Sequence, residues 1–494
     1  MNIFDMDTYK IKKLVDHAHD PAQHDAIMTE LATVNAEEAG LFLNGLLSRG
    51  EREPTLKVLL TLLAAYSLLH IKKVAASTEK NVLQQLSKIV PPRKAAQARE
   101  LASAGDLAVV PIERYLARRG KDLDKPCAYC VRTLALIGSP AALKVLEIYA
   151  QALCPPHSSA YRTGYAKGGE VYAELLHALP HFNRQEYLQR VLARYLRTAE
   201  TLLLDGAYDL EGVPPPPALH TVEWWNTGKL GDLRPLAAWP QLCQVTLSDC
   251  FGLRDVKALT ALPTLRRLHL HRTDPGRLKG FSELRNLERL SLENTGSEKK
   301  SLECIAQLTG LQTLSLSSWH LEDISALKSL TNLRELWLQG GPNLKDISVI
   351  GRLPELRQLS IGEINPQQLC EIPGLARLEQ LELNGCQIKK LTGLGRLTGL
   401  RTLSMRGSSD LQHVSGLEEL MNLQTLSISD CPQLQHVSGI ENLVNLQTLE
   451  ITGREANQLS EMSPLGSLTN LRAVDLRACQ NLKKVDGLPQ LLAL

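Results

Sequence analysis

The chain has 494 residues, of which 44% are hydrophobic and 22% charged, and its 55 basic and 53 acidic residues leave a formal net charge of +2 at pH 7. The length exceeds what one compact core supports, and the ordinary composition argues against wholesale disorder. The balanced charge argues against the uniform positive field of a general nucleic-acid binder, so we expect no nucleic-acid partner.

The N-terminal segment, MNIFDMDTYKIKK, has no apolar core behind its charges and therefore does not read as a secretory signal. The longest apolar stretch falls short of the roughly 18 residues that suggest a membrane-spanning helix, so we expect no membrane partner. Ten cysteines in 494 residues are too sparse for a disulfide framework. These observations predict a protein of the reducing cytoplasm.

Residues 1–205 read as helices broken by Gly and Pro, which predicts a helical-repeat domain. The segment 55–74 is apolar on nearly all sides, and we expect it to be a helix buried between neighbours. The segment CAYCVRTLALIGSPAALKVLEIYAQAL predicts two helices joined by a turn, with Pro140 in the first turn of the second helix. Over residues 90–200 the chain resembles HEAT-type or related αα-repeats, which implies a solenoid of αα-hairpins.

One group in the helical half has the composition of a metal site. Cys127 and Cys130 begin the first helix of the predicted hairpin, and Cys154 and His157 follow the second. Because the start of one helix lies beside the end of the other in such a hairpin, the four side chains could form a structural Cys₃His zinc site. The alternative is that Cys127 and Cys130 are small buried residues of the repeat core, and no cofactor is then needed.

The segment 206–218 contains Val213 followed by four prolines, which predicts a stiff extended linker. From residue 219 to 494 a single motif recurs, Leu-x-x-Leu-x-Leu or a close apolar variant. Its first Leu stands at 219, 242, 265, 287, 311, 333, 356, 378, 400, 423, 446 and 471. We number the positions of each unit from this Leu. Alternation places positions four and six on one face of a short strand and positions three, five and seven on the other.

One such strand cannot bury its leucines alone, but strands stacked in parallel form a continuous core. These units resemble leucine-rich repeats of the short, internalin-like bacterial type. In that family an Asn or Cys at position nine bonds to loop backbone; here Cys250, Cys386, Cys431 and Cys479 stand there, whereas Trp319, Gly341, Ile364 and Arg454 depart from the pattern. The expected fold is an α+β repeat protein: a HEAT-like αα-hairpin solenoid followed by a leucine-rich-repeat solenoid with a parallel sheet on its concave face.

The outward positions of the strands supply the candidate binding residues. Most are small or polar, so Trp225 and Trp337 stand out, and Trp is enriched among residues that carry binding energy. Trp225 could instead pack near the linker. His269, His271 and Glu293 could hold a metal, although a solvated polar face is the simpler interpretation. The predicted partner-binding set is Trp225, Arg267, His269, His271, Arg272, Glu293, Trp337 and Gln339.

These features predict a non-enzymatic protein that recognises a protein partner through the concave face, as an adaptor, a sensor or a neutralising binder. One alternative is an effector delivered into another cell, where it captures a host protein. Another is a metal-dependent enzyme, or a zinc-stabilised helical domain, for which the repeats serve as a targeting module. At the C-terminus, Val485, Leu488, Leu491, Leu492 and Leu494 would leave an apolar end, which a second copy of the chain or a partner could cover. The alternative is that residues 491–494 fold back and close the core themselves.

Overall fold

The fold is described from a computed structural model. It describes residues 3–31, 33–120, 124–153, 169–205, 213–225, 233–295, 302–318, 321–340, 344, 346–363, 375, 377–386, 389–391, 394–454, 457–477, 479–483 and 485. The chain forms two compact units, Met1–Leu219 and His220–Leu494. The domain limits at 205 and 219 remain a prediction, because residues 206–212 lie outside the described ranges.

The first unit is a set of α-helices joined by short turns. Their bounds are α1 Ile3–His17, α2 His24–Leu31, α3 Ala36–Arg52, α4 Lys57–His70, α5 Ala76–Lys88, α6 Ala95–Ala102, α7 Val109–Arg119, α8 Lys125–Ile137, α9 Pro140–Ala152, α10 Gly169–His177, α11 Arg184–Tyr187 and α12 Ala193–Thr198. Helices that follow one another pack together, as α3 does with α4 and α8 with α9. Helices alone do not distinguish one αα-repeat family from another, so the HEAT-like assignment stays a prediction.

Local sequence explains where α8 and α9 begin and end. Asp124 caps α8 by accepting a hydrogen bond from the backbone N–H of Cys127 at 3.0 Å, and Ser139 caps α9 through the N–H of Ala142 at 3.1 Å. Gly138 ends α8 with φ of 66°, a conformation that glycine adopts without strain. Pro140 occupies the first turn of α9, as the sequence predicts.

A buried ion pair ties α8 to α10. Glu174 is 7% exposed, and both of its carboxylate oxygens accept hydrogen bonds from the guanidinium of Arg132. A carboxylate at this depth would be costly without such a partner. The pair therefore fixes how these two helices are aligned.

Two details of the first unit differ from expectation. The helix predicted over 55–74 spans Lys57–His70; residues 60–65 in its middle are buried on all sides, whereas Val58, Tyr66 and Leu69 toward its ends are 37–45% exposed. Apolar composition overestimates burial, since folded surfaces contain much apolar area. The region to residue 205 is not all helical either, because it ends in a strand, β1 Thr201–Asp205.

The second unit contains a parallel sheet with one strand from each repeat. These strands are β2 Thr221–Trp225, β3 Gln244–Ser248, β4 Arg267–His271, β5 Arg289–Glu293, β6 Thr313–Ser318, β7 Glu335–Gly340, β8 Gln358–Gly362, β9 Gln380–Asn384, β11 Thr402–Arg406, β13 Thr425–Ser429, β15 Thr448–Thr452 and β17 Ala473–Asp475. Each pairs with the next in register, so equivalent repeat positions lie side by side. In the main sheet, residues with the same position number in successive repeats are therefore neighbours.

The core of the second unit lies behind this sheet. Positions four and six are buried in strand after strand; Leu381, Leu403 and Leu426, for example, are register partners with 0% exposure. Short 3₁₀ turns on the side away from the sheet add further buried side chains, among them Leu259, Ile305, Leu327 and Ile350. Each buried leucine contributes about 1.5–3 kcal/mol, so the stacked rows stabilise the unit.

A second, smaller sheet runs beside the later repeats. Its two-residue strands are β10 Lys390–Leu391, β12 His413–Val414, β14 His436–Val437 and β16 Glu461–Met462, and they pair in parallel in this order. The second residues of β10, β12 and β14 are buried, and the first residues form an outward row.

Candidate functional site

The side chains at positions three, five and seven of the main-sheet strands point away from the core, and we call this surface the open sheet face. In β4 and β5 these three positions are exposed or half-buried while the two between them are buried. Because neighbouring parallel strands lie about 4.8 Å apart, equivalent positions form continuous rows. The face therefore presents side chains at a regular spacing.

Trp337 stands in the position-five row between two serines. Its register partners are Ser315 on β6 and Ser360 on β8, and its indole is half-buried. Around it the face forms a groove of about 610 Å³. The outward groove residues are Glu293, Ser315, Ser317, Trp337, Gln339, Ser360, Gly362, Asn384 and Arg406. The predicted residues Trp337, Gln339 and Glu293 thus line one surface.

The two histidines of β4 turn toward different carboxylates. His269 Nε2 lies 3.8 Å from Glu293 Oε2 on β5, whereas His271 Nδ1 lies 4.0 Å from Asp249 Oδ2 in the loop after β3. Partial burial lowers the pKa of His269, Glu293 raises it and His271 lowers it, with a net shift below the usual value. His269, His271 and Glu293 therefore do not converge on a common point as metal ligands would.

Arg272 sits just beyond β4, at position eight. It adopts φ of 48°, in the left-handed region, and its Nη1 donates to Asp249 Oδ1 at 3.1 Å. Asp249, the position-eight residue of the preceding repeat, has φ of 56°. The aspartate therefore neutralises part of the positive charge at this edge of the face.

Trp225 lies at the N-terminal end of the open sheet face, at position seven of β2. Its side chain is 40% exposed, whereas the preceding Trp224 is buried in the core. Glu223 lies on the same side of β2; burial raises the pKa of its carboxyl, and a hydrogen bond with the Trp225 side chain acts in the opposite direction. Trp225 is thus available to a ligand, although it is not among the residues that line the Trp337 groove.

Position nine carries out the backbone role that the sequence resemblance implies. The thiol of Cys386 lies 3.8 Å from the carbonyl oxygens of Ile361 and Asn384, and that of Cys431 lies 3.4 Å from the carbonyl oxygen of Ser429.

A family model described as leucine-rich repeats (two copies) matches residues 309–352, which contain β6 and β7. The second unit is a leucine-rich-repeat domain. Its fold supports a role in binding other proteins.

Several solved structures resemble the chain. An internalin from Listeria monocytogenes is 21% identical, with 59% of this chain and 87% of that chain covered and a TM-score of 0.41. A leucine-rich-repeat protein from Leptospira interrogans is 18% identical, with 66% and 94% covered and a TM-score of 0.37. The TLR13–ssRNA13 complex is 20% identical, with 68% and 53% covered and a TM-score of 0.42. These similarities say nothing about what this chain binds.

A comparison with curated protein sequences finds no significant match. Among the helices that the structure describes, none combines the length and the apolar character needed to cross a membrane.

Two of the four residues of the predicted zinc site, Cys127 and Cys130, lie within the described ranges. Cys127 and Cys130 are both fully buried on α8, and burial raises the pKa of the Cys127 thiol to about 11 and that of Cys130 further. Cys154 and His157 lie outside the described residues. Within the described ranges, no three His, Cys, Asp or Glu side chains are arranged to hold a metal ion. The buried thiols fit a packing role, and the Cys₃His site stays a prediction.

Three residues near the predicted set were missed by the sequence analysis. Arg289 on β5 is the register partner of Arg267, and Asn384 and Arg406 complete the groove around Trp337. All three stand at position three or seven, so counting positions through every repeat finds them. The C-terminal residues 486–494 lie outside the described ranges, and association through that end stays a prediction.

Proposed function

We propose that this protein is a non-enzymatic binder that recognises a protein partner through the open sheet face, the predicted concave surface, with Trp337 as the central anchor. The observation that carries the proposal is the Trp337 groove: a half-buried indole between Ser315 and Ser360, in a depression of about 610 Å³. An aromatic residue with small neighbours leaves room for a partner side chain to pack against it, and such residues dominate binding energy. In the cell it acts as an adaptor, a sensor or a neutralising binder in the cytoplasm.

The polar residues of the face suit recognition better than covalent chemistry. His269 has a lowered pKa, and its Glu293 neighbour also lies 3.4 Å from the Ser291 hydroxyl. Serines, threonines and amides fill most of the remaining outward positions, and they offer hydrogen bonds to a partner without a strongly activated group. Such a rim around an aromatic centre is typical of protein interfaces.

The test begins with affinity purification of partners from the native cell. Trp337→Ala is then compared with wild type by calorimetry, with the expectation that binding weakens by about 2 kcal/mol or more while the unfolding midpoint stays unchanged. Arg272→Glu should weaken the same complex at the edge of the face. Met421→Ala is the matched control, because Met421 is an apolar residue with 48% exposure outside the main sheet. Unchanged affinity for both Trp337→Ala and Arg272→Glu would place the interface elsewhere.

A further inference from the structure

Two arginines stand side by side on the open sheet face. Arg267 on β4 and Arg289 on β5 are register partners at position three, and both are exposed. Their strands are about 4.8 Å apart, a spacing at which like charges directly opposite each other are destabilising. A structural role does not require this repulsion, so the pair is itself an unusual feature of the sheet.

Neither arginine has an ion-pair partner within the part of the chain that the structure describes, and neither guanidinium makes a hydrogen bond there. Arg406, on the same face, does have a carboxylate partner, since its Nε lies 3.7 Å from Asp430 Oδ2. Glu293 does not form an ion pair with Arg289. The two residues are four positions apart on an extended strand, which separates them by about 13 Å, and the Glu293 carboxylate lies beside His269 instead.

From this arrangement we infer that Arg267 and Arg289 form an anion-recognition site for an acidic side chain of a peptide segment of the protein partner, next to the Trp337 groove. The inference rests on the proposed function. Paired guanidiniums offer parallel N–H donors that match a carboxylate in charge and in geometry. An incoming acid would also remove the repulsion between the two arginines, so binding and sheet stability would improve together.

The rest of the face distinguishes a peptide from a nucleic acid. In later strands the outward positions of the open sheet face carry acidic residues, namely Glu335 on β7, Glu382 on β9, Glu450 on β15 and Asp475 on β17. A polyphosphate that followed the face would meet these carboxylates, whereas a peptide with one local acid would not. The other arginines at outward positions, Arg406 and Arg477, have carboxylate partners in Asp430 and Asp475, so the positive charge without an ion pair lies on β4 and β5 and favours an acidic peptide.

The geometry also sets the spacing of the ligand. Arg289 and Trp337 are two strands apart and two positions apart along the strand, which corresponds to a diagonal of about 12 Å. An extended peptide advances about 3.3 Å per residue. The acidic residue and the apolar residue that packs on Trp337 should therefore be separated by about three to four positions in the peptide.

The experiment selects random phage-displayed peptides on the full chain. Parallel selections use the Arg267→Ser/Arg289→Ser double variant, the Trp337→Ala variant and an Arg285→Ser/Arg396→Ser control. The control removes the same charge from two exposed arginines outside the main sheet. Wild type and the control should enrich peptides with Asp or Glu about three to four positions from an aromatic or aliphatic residue. The double variant should lose the acidic enrichment and bind the selected peptides about tenfold more weakly or worse.

The outcomes separate this inference from the proposed function. Equal acidic enrichment on the double variant and on wild type, or no acidic enrichment on wild type, would overturn the anion site. If Trp337→Ala selects the same peptides as wild type while the double variant does not, the anion site stands and the Trp337 anchor fails. Preferential capture of a single-stranded RNA oligonucleotide over the acidic peptides would also overturn the inference.

Discussion

The imidazole rings of His413 and His436 stack face to face, with centroids 4.9 Å apart and an interplanar angle of 1°. They occupy equivalent outward positions of β12 and β14 in the smaller sheet, between Lys390 on one side and Glu461 on the other. His436 Nδ1 lies 3.4 Å from Glu461 Oε2. His413 instead lies between Lys390 and His436.

This position predicts a pH-dependent loss of stability. Desolvation, His436 and Lys390 all lower the pKa of His413 below the usual 6.5. Because the folded state binds the proton less readily than the unfolded state, the contribution of His413 is complete above about pH 6.5 and is lost as the pH falls through the lowered value. The denaturation midpoint should therefore drop between pH 7.5 and 5.

His413→Gln should reduce this drop, whereas His220→Gln should leave it as in wild type, because His220 is exposed and outside the stack. Urea titrations at several pH values measure the difference. The same pH dependence in wild type and His413→Gln would show that the stack does not resist protonation.

The leucine core gives a second prediction. Leu403 has 0% exposure and lies between Leu381 and Leu426 in the register of the sheet. Leu403→Asp should cost at least about 3 kcal/mol, because it removes a buried side chain and leaves an unpaired charge. The loss should extend to neighbouring repeats, since each stacks only on those beside it.

Circular dichroism and limited proteolysis measure this loss of folding. Leu381→Asp should have the same effect as Leu403→Asp. Thr402→Asp is the matched control, because Thr402 precedes Leu403 in β11 and its side chain points to the open sheet face. A protease-resistant Leu403→Asp protein with the wild-type spectrum would contradict the inward placement of Leu403.

Sequence reasoning succeeded where each repeat determines its own structure. The alternation around Leu268 and Leu270 fixes which side chains of β4 are buried, and aligning the motif of successive repeats then places Trp337 between Ser315 and Ser360. No long-range information is needed, because identical units can bury their leucines only by stacking in register.

The remaining features depend on geometry that the pattern does not contain. The contact between Asp249 and Arg272 arises because both residues leave the strand in a left-handed conformation, which redirects their side chains. The smaller sheet has two-residue strands such as Lys390–Leu391, too short for alternation to be visible. The exposed apolar residues toward the ends of α4 were missed because composition does not tell which apolar residues face water.

The left-handed residue at position eight provides the last prediction. Gly407 and Glu363 both occupy it, with φ of 65° and 60°, and their backbone N–H groups donate to the carbonyl oxygens of Ser429 and Asn384, each at 2.9 Å. The same bond joins successive repeats elsewhere, as from Asp430 to Thr452. In these repeats the left-handed conformation accompanies the hydrogen bond to the next repeat for a glycine, a glutamate and an aspartate alike, whereas Ser318 and Gly340, at position eight of β6 and β7, remain in extended strand.

Gly407→Ala should therefore destabilise the domain by about 1 kcal/mol through backbone strain alone, because a Cβ there would meet only the backbone nitrogen of Gly385 at 3.9 Å. Glu363→Gly removes that strain. We expect the free energy of unfolding to rise by less than about 1 kcal/mol, because the added flexibility of the unfolded chain offsets part of the gain. Gly362→Ala is the control, since its backbone is extended and its Cβ would make ordinary contacts at 3.4 Å and beyond. Denaturant unfolding of the three variants measures these changes. A Gly407→Ala protein as stable as wild type, together with a destabilised Glu363→Gly protein, would show that side-chain contacts and not the left-handed backbone decide the stability of this position.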